Sequence, residues 1–218
     1  MAHYLFFDTE CCDGFHICEF GYVISDAEFN ITDRGTILIN PEKPFRLGRK
    51  GFEPRIKLHY SEKEYKSAPN FKAKYSDIKT ILENKEYVIC GHSLDSDVNY
   101  LHRACQAYGK PFLKFEFFDS QLAYKLFKGN KNVSSLESIS ADLNISTDGI
   151  HKAECDAEIT LKICKELCKL NNMTFAEFIE KYKKAKSHSK NIIIAKTKKP
   201  PTTATIGSLL KGKIDIAD

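Results

Sequence analysis

At 218 residues, with Lys and Arg at 33 against Asp and Glu at 29, the chain suits one domain plus an appendage. Its net charge of +4 is too small to demand a nucleic-acid partner by itself. No apolar run reaches the length of a membrane-crossing helix and the first residues lack a signal-peptide pattern, which points to a cytoplasmic protein with no membrane contact. The cysteines at 11, 12, 18, 90, 105, 155, 164 and 168 lack paired Cys-x-x-Cys spacing and read as small, buried, reduced thiols. A zinc site from Cys11, Cys12, His16 and Cys18 has no second ligand pair to complete it.

His3 to Glu10 predicts a first strand, an almost wholly apolar run of the kind buried on both faces of a sheet. A loop at Cys11–Phe15 with Gly14 at its turn leads to a second strand, Ile17–Ser25. A polar connection over 26–34 follows, then a third strand at Thr36–Ile39 closed by Asn40-Pro41. Residues 41–58 read as an irregular surface excursion. Ser61-x-x-Glu64 is a capping box, a helix is expected over Phe71–Asn84, and a short buried strand over Tyr87–Cys90.

After Gly91-His92 comes a helix to about Tyr108, then a strand at Lys114–Phe118 and a helix at Asp119–Phe127. Ser134-x-x-Glu137 is read as the cap of a helix ending near Leu143. A turn-rich loop at 144–149 precedes a long helix from about Lys152 to Leu170, and Thr174-x-x-Glu177 caps a last helix reaching about Lys186. The expectation is an α/β mixed sheet, a three-strand antiparallel start followed by alternating helices and strands, with helices on both faces. Asn191–Ala195 reads as a short strand or an exposed apolar segment. Residues 191–218 form a basic, Pro- and Thr-containing tail, in which Ile206–Leu210 is a candidate hook for the domain or for a protein partner.

The first strand ends in Asp8-Thr9-Glu10. Side chains alternate along a strand, so Asp8 and Glu10 point the same way, and two like charges so close need a cation. On the helix after Gly91, Asp97 shares the apolar stripe of Tyr100, Leu101, Ala104 and Tyr108, whereas Asp95 shares a solvated face with Asn99, His102 and Gln106. On the long helix, Asp156 lies in line with Ile159, Thr160, Ile163, Leu167 and Leu170, while Glu158, Lys162 and Glu166 form a charged surface face. Four converging carboxylates suit two divalent ions, Mg²⁺ or Mn²⁺, which can activate a water for phosphoryl transfer. His151, five residues before Asp156, is the candidate general base.

Asp8-Thr9-Glu10, the stretch from Gly91 to Asp97 and the stretch from His151 to Ala157 together resemble the three motifs of the DEDDh exonucleases. The resemblance spans residues 3–170 and implies a ribonuclease H-like fold over 1–172, with 173–190 as a C-terminal helix. It implies 3′-to-5′ removal of nucleotides as 5′-monophosphates from a single-stranded 3′ end. On that resemblance Asp8, Glu10 and Asp156 bind the first metal, Asp8 and Asp97 the second, and His151 is the base. Thr9 and His92, inside the first two motifs, join the substrate-binding residues.

Two departures stand out from the family pattern. Cys11-Cys12-Asp13-Gly14 replaces the usual Thr-Thr-Gly, adding an acid beside the terminal-nucleotide pocket, and Ser93 stands where Asn is frequent. Phe15 is a candidate base-stacking platform or an ordinary loop residue. Lys181, Lys183, Lys184, Lys186, Lys190, Lys196, Lys198 and Lys199 are candidate phosphate contacts or a solvated face. DNA is the expected substrate. RNA trimming on the same site and a binding protein built on the same fold are the alternatives.

Overall fold

Alternation along β1 (His3–Cys11) sets the layout of the molecule. Tyr4 and Phe6 pack into one apolar cluster and Leu5 and Phe7 into another, so successive side chains enter cores on opposite faces of the sheet. The computed structural model describes residues 3–47, 57–192 and 194. Within them, β1 is central in a six-stranded sheet. It pairs antiparallel with β2 (Ile17–Ser25), which pairs antiparallel with β3 (Ile31–Leu38). On its other side it pairs parallel with β4 (Tyr87–Gly91), followed by parallel β5 (Glu116–Asp119) and antiparallel β6 (Lys186–His188).

The short helix α1 (Glu62–Ser67) opens with the expected Ser61–Glu64 capping box and buries Tyr65 against Cys12, Cys18 and Leu58. Helices α2 (Phe71–Leu82) and α3 (Leu94–Ala107) cover the Leu5–Phe7 face. The Tyr4–Phe6 face is covered by α4 (Ser120–Lys128), α5 (Leu136–Asp142), α6 (Ala153–Asn171) and α7 (Phe175–Lys181). Phe175 of α7 lies against the rings of Tyr4, Phe6, Phe29, Phe118 and Phe178. An α/β mixed sheet with helices on both faces is therefore the observed architecture.

Several expectations need correction. β3 begins at Ile31 rather than Thr36; Thr32, Asp33 and Arg34 are exposed on the sheet edge, where polar side chains face water while the backbone still pairs with β2. Ser135, not Ser134, caps α5, accepting from Ser138 N–H at 3.2 Å. The last helix stops at Lys181. Ala185 is buried, Ser189 N–H donates to the Phe115 carbonyl at 2.9 Å, and β6 forms because the open edge of β5 offers backbone partners.

His102 is buried rather than solvated, with Nε2 at 3.3 Å from the Leu113 carbonyl and its ring stacked on Phe112. Leu170 is 56% exposed instead of continuing the buried stripe of α6. Residues 189–191 form a 3₁₀ turn, and Ile192 packs on the Leu5–Phe7 cluster. The rest of the tail, including Ile206–Leu210 and Lys196, Lys198 and Lys199, lies outside the described residues apart from position 194.

Candidate active site

Asp8 and Glu10 occupy the end of β1 on the same face as Tyr4 and Phe6, which turns them toward α6. Both are half-buried. The other two acids reach this strand end from α3 and α6, and two different devices hold them.

Asp97 is buried in the first turn of α3, and Asp95, two residues earlier, is exposed. Thr9 holds Asp97 twice over: its backbone N–H donates to Asp97 Oδ1 at 2.9 Å and its hydroxyl to the same oxygen at 2.6 Å. α3 itself starts at Ser93, in the left-handed region at φ 60° with no side-chain cap. Asn is among the side chains least strained there, so Ser93 carries a local cost. Asp119 at the end of β5 compensates by accepting Leu94 N–H at 2.9 Å while capping α4 through Gln121 and Leu122.

Asp156 is buried in the first turn of α6. Its Oδ2 accepts only the long N–H bond of His151 at 3.2 Å, and its Oδ1 is buried with no hydrogen-bond partner. His151 is half-buried with φ 66°, the turn that brings the ring back over the helix start. Ligand atoms of Glu10, His151 and Asp156 lie within 4.8 Å of one another.

Burial is the largest influence on these acids, and mutual repulsion adds to it. It pushes Glu10 up to about 8, helped by Asp156, Glu19 and Asp97. Asp8 is raised by burial and then by Asp97, Glu10 and Asp156. Asp97 is raised by burial to about 7 although the Thr9 bonds pull it down, and Asp156 is raised by burial to about 7 against the His151 N–H. A buried carboxylate oxygen without a partner, among acids crowded at one strand end, is a donor set that fits a hard divalent cation. Among the described residues Glu10, His151 and Asp156 form the one acid, His and Cys group of three or more close enough to share an ion; Asp8 and Asp97 lie outside that group. His16 pairs with Asp13 at 2.8 Å, Cys18 donates to the Glu10 carbonyl, and all eight thiols are free, seven of them buried.

The family model described as DNA polymerase III subunit epsilon-like, C-terminal domain, matches residues 50–167, more than half of the chain, including Asp97, His151 and Asp156. The chain belongs to the DEDDh exonuclease family. A curated relative, DNA polymerase III subunit epsilon of Aquifex aeolicus (strain VF5), is 33% identical over 85 residues, 37% of this chain and 42% of that protein. The match therefore spans less than half of the relative's length. Two solved structures share the ribonuclease H-like fold. The nuclease domain of 3′hExo, a DEDDh member bound to rAMP, matches at TM-score 0.62 and 18% identity over 79% of this chain and 94% of that one. Exonuclease X in complex with 5′ overhanging duplex DNA matches at 0.58 and 14%, over 84% and 99%.

The remaining predicted site residues fall in different places. Phe15 is 51% exposed, with the Arg103 guanidinium 5.5 Å from its ring centre. It stands over an open cavity of about 1260 Å³ lined also by Asp13, Arg46, Phe71, Arg103 and Tyr108. Asp13 does not face this cavity as a loose acid: it accepts from Phe15 N–H, His16 N–H and the His16 ring. Those bonds lower its carboxyl against the cost of burial.

Thr9 is buried and spent on Asp97. His92, the other expected substrate contact, lies behind the strand end. It is buried, Nδ1 lies 3.0 Å from Ser120 Oγ and Nε2 3.3 Å from the Ser134 carbonyl, and burial lowers it to about 4. Among the basic residues Lys183 pairs with Glu180 at 2.8 Å and Lys181 donates to Asn171, the pattern of a solvated face.

Two functional-looking acids escaped sequence reasoning. Glu19 interrupts the buried strand Ile17-Cys18-Glu19-Phe20, and Asp119 closes an apolar strand just as Asp8 and Glu10 do. Those were the available signals. No helix among the described residues is long and apolar enough to cross a membrane.

Proposed function

We propose that this chain is a metal-dependent 3′–5′ exonuclease acting on single-stranded nucleic acid, DNA in preference, and releasing 5′-mononucleotides. The observation that carries the reading is the convergence of Glu10, His151 and Asp156 within 4.8 Å beside a buried Asp156 oxygen that has no partner. The preference for DNA follows the 33% identical relative, whose name is that of a DNA polymerase subunit.

Asp8, Glu10 and Asp156 would hold one divalent ion, and Asp8 with Asp97 a second. Bound ions of this kind lower the pKa of an attacking water and stabilise the leaving oxygen. His151 would accept a proton at a ring nitrogen, and its backbone is held by the left-handed turn and by its N–H bond to Asp156. Thr9 fixes the Asp97 carboxylate in one rotamer. The exposed ring of Phe15 offers a face to the terminal base.

The test is digestion of 5′-labelled DNA and RNA strands with Mg²⁺ or Mn²⁺ by the wild type, Asp8→Ala, His151→Ala and Phe15→Ala. The reading requires stepwise shortening from the 3′ end by wild type, none by the first two variants, and a raised KM with unchanged kcat for Phe15→Ala. An inert wild type, or equal digestion by Asp8→Ala, contradicts it. Faster digestion of RNA than DNA transfers the same chemistry to an exoribonuclease.

A further inference from the structure

A carboxylate with no solvent exposure inside a β-strand needs partners, and Glu19 of β2 has two. Its Oε1 accepts the Ala153 backbone N–H at 2.9 Å, and its Oε2 accepts the Tyr65 hydroxyl at 2.7 Å. Ala153 is the first residue of α6, two after His151 and three before Asp156. Lys152, at the cap position, offers no side-chain cap to the backbone N–H groups of the helix; its ammonium pairs instead with Glu154 at 3.6 Å. One of the first-turn N–H groups that have no acceptor within the helix is therefore satisfied from a strand 134 residues away in sequence.

Gly21, two residues on and on the same face of β2, completes the seat. A Cβ there would lie 2.0 Å from Glu154 N and 2.2 Å from Ala153 C, so the start of α6 rests directly on strand backbone. Glu19 also stands opposite Glu10 in the β1–β2 register, so one strand pair carries both a proposed ligand and this anchor. Through Tyr65 the anchor extends to α1 and the small cluster of Cys12, Cys18 and Leu58.

We propose that Glu19 is a positioning residue: from β2 it fixes the start of α6 and so places His151 and Asp156 against Glu10. This rests on the exonuclease reading for its effect on turnover, but not for its effect on ion binding. Partners that orient metal-binding side chains typically shift affinity or activity by about 10–100-fold when removed.

The experiment compares the full chain with Glu19→Gln, which keeps an acceptor oxygen, and Glu19→Ala, which does not. Mn²⁺ affinity is measured by calorimetry without nucleic acid, kcat and KM on a single strand, and thermal unfolding without metal. Glu19→Ala is expected to bind Mn²⁺ at least about 10-fold more weakly and to lose about 100-fold in kcat with KM held within about twofold. Glu19→Gln should stay within about threefold of wild type on each measure, since the tether survives. Wild-type Mn²⁺ affinity and kcat in a folded Glu19→Ala protein overturn the inference. So does an activity loss that merely tracks the folded fraction, or loss of cooperative unfolding in both variants, either of which makes Glu19 a folding residue only. If the wild type cuts no strand yet Glu19→Ala weakens Mn²⁺ binding, the exonuclease reading fails and the positioning role stands.

Discussion

The two helical acids of the site are held in opposite ways. Asp97, on α3, is gripped at the carboxylate itself: Thr9, between the two β1 acids, donates to it from backbone and side chain. Asp156, on α6, has one oxygen without a partner and one long bond, and its place depends on where the helix begins. That beginning is seated by Glu19 and Gly21 on β2. The α3 arm is thus fixed by contact with the acid, and the α6 arm by a support several residues from it. A carboxylate already gripped by two donors is a preformed ligand, while one left open is where a cation adds most.

The sharpest break in this comparison is Asp97→Asn against Asp95→Asn. The first is expected to lower kcat by at least about 1000-fold, ~4 kcal/mol of transition-state stabilisation, and the second by less than about twofold. Steady-state rates on one strand decide it, and the reverse order would remove Asp97 from the site. Next in size is Gly21→Ala. Its new methyl meets the backbone of Ala153 and Glu154, so urea denaturation should show about 1–3 kcal/mol lost. Displacing the α6 arm should cost about 100-fold in kcat. Wild-type activity in that variant would show that α6 needs no seat on β2.

Thr9→Val tests the α3 arm more gently. It removes one of two donors to Asp97 and keeps the backbone N–H, so turnover should fall by about 10-fold, matching the ~1.5 kcal/mol of a single bond to a charged group. No change would mean the backbone bond alone grips the acid.

The smallest effect is on stability against pH. Asp97 and Asp156 at about 7 and Glu10 at about 8 titrate above their unfolded values near 4. The native state therefore binds more protons than the unfolded chain in that window, and metal-free stability is full at low pH and falls as pH rises through 7 to 8. The thermal midpoint in chelator should drop by about 5 °C between pH about 5 and about 8.5, and Mn²⁺ should abolish the drop. A midpoint that rises over that range would contradict the crowding of acids.

The site acids were legible because burial of a carboxylate leaves a local trace. Alternation put Asp8 and Glu10 side by side, and helical periodicity separated Asp97 from Asp95 and placed Asp156 inward. What was not legible depends on distant partners. Glu19 finds Tyr65 and Ala153 at separations of 46 and 134 residues, and β6 exists only because β5 presents an open edge. His92 illustrates the same limit. It sits inside a motif stretch, but Ser120 and the Ser134 carbonyl take both ring nitrogens, and neither is near it in sequence. The polar residues of β3 hid a strand whose ladder to β2 is made by its backbone, whatever its side chains.

The four acids and His151 are proposed to form a metal-dependent hydrolytic site. This is tested most directly by the rate of mononucleotide release from a single strand as Mg²⁺ or Mn²⁺ is titrated into chelated wild type and Asp8→Ala. A metal-dependent site gives no release without metal, a saturable rise in the wild type and none in Asp8→Ala. Release that is independent of metal, or an Asp8→Ala curve that overlays the wild type, would contradict it.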